Sequence, residues 1–73
     1  SKKWDQYLSA LAKAQTEMGS LSDLMTAQAY FREAAHLDSR YWFAVGWFSA
    51  RLVQEGKRAQ KALHELQAVK FPV

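Results

Sequence analysis

Eight consecutive residues without a charge, Tyr41-Trp42-Phe43-Ala44-Val45-Gly46-Trp47-Phe48, constrain this chain more than any other stretch. They hold five of its ten aromatic side chains. An apolar run of this length is either a strand buried on both faces or a helix buried on several sides. The rest of the chain decides between them. No second strand-like segment can pair with the run, and an unpaired strand leaves its backbone polar groups without partners. The run is therefore read as helix, with the remaining amphipathic stretches packed around it.

Composition agrees with an all-α chain. One proline, Pro72, and three glycines in 73 residues argue against a β-rich or disordered chain. The abundant Ala, Gln, Leu, Lys and Glu favour helix. The length points to a single domain spanning residues 1–73. A chain this short buries only about 60% of its unfolded surface, so it needs a staple, a metal or a partner. It has no cysteine, which excludes a disulfide and a thiolate metal site and points towards the cytoplasm. No apolar stretch approaches the roughly 20 residues of a membrane span. Ser1 is the kind of residue exposed when an initiator methionine is removed, which would make this nearly a whole small protein.

Breaker and capping residues divide the chain into four short helices. The first runs from Lys2 to Met18, with Trp4, Leu8, Leu11, Gln15 and Met18 as its apolar stripe, Tyr7 and Ala14 beside them, and Lys13 and Glu17 on the wet side. Gly19 ends it in a left-handed conformation. Ser20 or Ser22 caps the second, which reaches Leu37 through Leu24, Ala27, Phe31 and Ala34. Asp38-Ser39 supplies the next break. The third, Arg40 to Glu55, has a main stripe of Tyr41, Val45, Phe48 and Leu52. Phe43 and Trp47 form a second stripe, while Trp42 points elsewhere with Gly46 and Ser49. Gly56 breaks this helix. The fourth, Lys57 to about Lys70, turns Ala59, Ala62, Leu63, Leu66 and Val69 inward and pairs Lys61 with Glu65. Phe71-Pro72 ends it. Short connections make neighbouring helices antiparallel, so the expected architecture is two antiparallel hairpins in a bundle.

One stretch carries a family resemblance. Ala27 is followed by the aromatic Phe31 four residues later, then by Ala34, and Leu37-Asp38 close the segment. Gly56, with Leu52 four residues before it, falls where a glycine joins the two helices of a following unit. Residues 27–69 thus resemble tetratricopeptide repeats, whose unit is a 34-residue helix-turn-helix. Ser39 stands where the family places its proline, and Lys61 where it places a small residue. The resemblance implies stacked hairpins that bind a peptide or a helix, as an adaptor or chaperone-like subunit.

Candidate sites follow from the same residues. One small core cannot hold every ring of the aromatic run, since each buries about 150–250 Å². Trp42, Phe43 and Trp47, with Arg51 one turn from Trp47, are therefore the expected surface for a protein partner or for self-association. Lys57, Arg58 and Lys61 form a basic stretch suited to an acidic partner or to phosphates. With a net charge of only +3, nucleic-acid binding by an oligomer is the alternative reading. His36 and His64 lack companions in any metal-binding spacing, and no serine is tied to a base. No cofactor, metal or catalytic residue is expected, and the chain is read as a non-enzymatic interaction module.

Overall fold

The computed structural model of the chain describes residues 1–72. It contains two long helices, α1 (Lys2–Leu37) and α2 (Trp42–Ala68), joined by the 3₁₀ turn Ser39–Tyr41. They fold back on each other as one hairpin measuring 55 × 15 × 12 Å. The all-α class is as expected, but the division into four short helices and two hairpins is not. The helix runs through Gly19 and Ser20, and again through Gly56, and no described residue has a positive φ.

The reason lies in a spacing that ignores both glycines. Ala10, Ala14, Glu17, Leu21, Leu24, Gln28, Phe31 and Ala35 recur at alternating steps of four and three residues, and all are buried or half-buried. Val45, Phe48, Leu52, Glu55, Ala59, Ala62, Leu66 and Val69 do the same on α2. This is a heptad seam on each helix. A mid-helix glycine costs about 1 kcal/mol relative to alanine. Breaking the helix there would instead orphan backbone donors and acceptors on both sides and disrupt the register of the seam. The continuous helix is therefore favoured.

The chain does turn where Asp38 was expected to turn it. Asp38 is extended, with φ −147° and ψ 109°, and its N–H donates to the Ala34 carbonyl at 2.9 Å. Its carboxylate accepts the Arg40 N–H at 3.1 Å and the Arg40 guanidinium at 2.6 Å. Hydrogen bonds from the Arg40 guanidinium, and then from the Arg40 backbone N–H, hold the Asp38 carboxyl below its usual value. At the chain start, Ser1 Oγ caps α1 by accepting the Trp4 N–H.

The interior is thin. The buried apolar residues are Ala14, Ala35, Val45, Ala59 and Ala62, and no large side chain is fully enclosed. Small residues let the helices approach closely and bury little area in doing so. The bulkier stripe of the first half lies beside the seam and not on it: Trp4, Leu8 and Met18 are exposed and Leu11 is half-buried, while Glu17, expected in water, sits on the seam. The expected Lys61–Glu65 pair is replaced by a cross-helix one, Lys13 Nζ to Glu65 Oε2 at 2.9 Å. At the open end of the hairpin Phe71 meets Trp4 and Tyr7 edge-on, at 5.3 and 5.1 Å between ring centroids.

Gly19 has open space where a side chain would stand. Gly19→Ala is therefore expected to stabilise the protein by about 0.5–1 kcal/mol in urea denaturation followed by circular dichroism. Ala62→Leu, at a position only 1% exposed, is expected to destabilise it by about 1–3 kcal/mol. Loss of stability in Gly19→Ala would show that the helix does break there.

Candidate interaction surface

A connected set of rings spans both helices next to the turn. Phe31 of α1 stacks on Phe48 of α2, with centroids 5.5 Å apart and planes 23° apart. Trp47 meets Phe48 edge-on at 5.0 Å, and Tyr30 meets Phe31 edge-on at 5.4 Å. Tyr41 leans on Phe31 at 6.0 Å. Phe31 and Phe48 lie on the seam and are half-buried, while Tyr30 and Trp47 reach the surface. Such ring pairs contribute about 0.5–1.5 kcal/mol beyond the area they bury. They also hold the two outer rings in place. The Arg51 guanidinium lies 5.4 Å from the Trp47 ring centre, in cation–π contact.

The aromatic residues singled out from the sequence do not form one patch. Trp47 and Arg51 share one flank of the hairpin, the flank that also carries the Lys13–Glu65 pair. Trp42 lies on the opposite flank, edge-on to His36 at 5.6 Å. Five residues of helix, about 140° of rotation, separate Trp42 from Trp47. Phe43 stands on the outer edge, 83% exposed, on the same side of α2 as Trp47 four residues later.

The basic stretch is also divided. Arg58 Nη1 lies 3.9 Å from Glu55 Oε1 on its own helix. Arg51 is engaged with Trp47. Lys57 and Lys61 line a shallow groove on the outside of α2 with Gln60 and His64. Among the described residues no three His, Cys, Asp or Glu side chains are grouped to hold a metal ion.

The polar centre of the hairpin was not anticipated. Glu55 is only 9% exposed, and no N–H or hydroxyl donor of the described residues reaches its Oε2. It faces Glu17 across the seam. Hydrogen bonding to Glu17 pushes the Glu55 carboxyl above its ordinary value, burial and the Glu17 charge add to this, and Arg58 and Arg51 oppose it. Nearer the turn, Gln28 Nε2 donates to Ser49 Oγ at 2.6 Å and to the Val45 carbonyl at 3.3 Å, and Ser49 Oγ donates to that same carbonyl at 3.0 Å. The signal for Glu17, Glu55 and Gln28 was their place in the four-and-three spacing. It was hidden because none of them is apolar.

Comparison of the chain with protein-family models, curated proteins and solved structures gives no match.

The raised Glu55 carboxyl has a definite consequence. In the folded chain it keeps its proton at pH values where the unfolded chain has lost it. The stability it contributes is complete below the unfolded glutamate value of about 4.3 and is lost as pH rises through the folded value. Glu55→Gln is expected to flatten this part of the pH dependence and to raise the urea midpoint at pH 7. An unchanged pH profile would mean that Glu55 is solvated.

Proposed function

We propose that the chain is a non-enzymatic protein-interaction module that docks a protein partner on the Trp47 flank of the hairpin. The observation that carries this reading is the Trp47 ring, half-exposed and held by Phe48 beneath it and Arg51 above it. Trp, Tyr and Arg are the residue types enriched in binding hot spots, and here a Trp and an Arg stand side by side. Tyr30, also exposed and held against Phe31, extends the same platform onto α1. Phe43 adds apolar area at its edge. A partner fitting this surface presents an apolar side chain for the rings and a carboxylate for Arg51.

Lys57 and Lys61 add positive charge on the outside of α2, where it accelerates encounter with an acidic partner more than it tightens the complex. The basic stretch gives nucleic-acid binding less support than the sequence suggested. Arg58 is turned to Glu55 and Arg51 to Trp47, which leaves two lysines facing outward.

Affinity capture from the source cell with the immobilised chain tests the reading. Trp47→Ala is expected to weaken retention of a protein partner by about tenfold or more, as loss of a hot spot does, with the helical content unchanged. Lys57→Glu with Lys61→Glu is expected to change the salt dependence more than the retention itself. Retention of nucleic acid instead, falling steeply with salt and indifferent to Trp47→Ala, would contradict the proposal.

A further inference from the structure

The flank opposite Trp47 carries a second surface, and the area and shape of the hairpin bear on what covers it. The hairpin exposes 5714 Å². A compact monomer of its 8.4 kDa mass exposes about 4,600 Å². The excess of about 1,100 Å² exceeds the roughly 800 Å² that each partner buries in a standard stable interface. The radius of gyration, 16.7 Å, is likewise well above the roughly 11 Å of a compact chain of this length. The hairpin is half of a normally packed core.

The face that completes it is complementary to itself. On α1, Trp4, Leu11, Met18 and Met25 recur every seven residues beside the seam. On α2 the equivalent row on the same flank is Trp42, Ser49, Gly56 and Leu63. The Gln28–Ser49 and Glu17–Glu55 contacts set Met25 level with Ser49 and Met18 level with Gly56. The centre of the face is therefore a methionine ridge on α1 beside a trough on α2. Space around Gly56 is open, and nothing within the hairpin requires a glycine there. Val53, 63% exposed, stands on the outer edge of that trough. At the same height on α1 a groove runs between Met18 and Met25 with Leu21 and Ser22 in its lining.

We infer that this face binds a second copy of the chain, making a four-helix bundle. A twofold axis running along the hairpin, in the plane of contact, lays α1 of each copy over α2 of the other at unchanged height. Met18 and Met25 then enter the partner's trough at Gly56 and Ser49. Val53 enters the partner's groove between the methionines. Each contact occurs twice, as an isologous interface requires, and every adjacent pair of helices runs antiparallel. The Trp47 flank stays outside and is presented twice. The inference goes beyond the proposed function and does not depend on it.

Mass and helicity measured together over a dilution series, by light scattering and circular dichroism, test this. The chain is expected to weigh twice 8.4 kDa and to melt at higher temperature as concentration rises. Gly56→Gln removes a helix-weakening residue and fills the trough. It is expected to weaken dimerisation about tenfold or more while helicity is kept. Met25→Lys, at an exposed site, is expected to do the same and decides the matter if Gly56→Gln fails to fold. Trp47→Ala is expected to leave the dimer intact. A stable helical monomer at every concentration, a trimer or larger species, or a dimer indifferent to both Gly56→Gln and Met25→Lys would overturn the inference. None of these outcomes bears on partner capture through Trp47.

Discussion

The contact between the α1 and α2 seams is the constraint on which everything else rests. Two rows of side chains, each spaced by alternating fours and threes, keep one face of each helix towards the other over most of their length. Much of that contact is alanine: Ala14, Ala35, Ala59 and Ala62 are its best-buried members. Alanine brings the backbones close, forms helix well and buries little area. A seam built this way aligns two helices firmly and yet does not bury enough to finish a core. The bulky side chains consequently lie elsewhere, at the turn, at the open end and on the flanks.

The middle of the seam is polar, and this matters for specificity. A carboxyl pair at Glu17 and Glu55 stabilises the hairpin less than two leucines would. A slip of one heptad along the seam would set Glu55 against apolar residues such as Leu24 or Ala10, with no carboxyl to share its proton. Buried polar groups fix register in coiled coils in the same manner. Gln28 adds a second fixed point by bonding both Ser49 and the Val45 carbonyl. These two polar contacts and the Asp38–Arg40 turn define one alignment of the helices. The Phe31–Phe48 stack and the position of Trp47 follow from that alignment.

Much of this was legible in the sequence, and the parts that were not share a cause. The all-helical class, the turn at Asp38 and the start of α1 rest on local chemistry: capping oxygens, helix formers and the lack of proline. Gly19-Ser20 and Gly56 have the same local chemistry as a helix end, yet both lie inside helices. Local preferences there are worth about 1 kcal/mol, and a seam that continues on both sides outweighs them. The stripe of Trp4, Leu8, Leu11 and Met18 stood out because bulky apolar residues define stripes. The row that actually meets α2 is made of Tyr7, Ala10, Ala14 and Glu17. Alanine and glutamate do not announce burial: Tyr7 and Ala14 read as neighbours of the bulky stripe, and Glu17 reads as outward, although the seam runs through all three. The expected aromatic surface was separated for a similar reason: Trp42 and Trp47 are neighbours in sequence and lie on opposite flanks of one helix.

The continuity of α1 through Gly19 is the claim from which the seam, the flanks and their exposed rows all follow. The chain has no cysteine, so two spin labels can be placed without removing any residue of that kind. Labels on cysteines introduced at Gln6 and Arg32, both exposed and equally distant from Gly19, report on it directly. Doubly labelled chain diluted with unlabelled chain isolates the distance within one molecule. A continuous α1 separates the two backbone positions by about 39 Å, from 26 residues at 1.5 Å each. A helix that folds back at Gly19 brings them to about 10 Å, the spacing of packed helices, and would contradict the account.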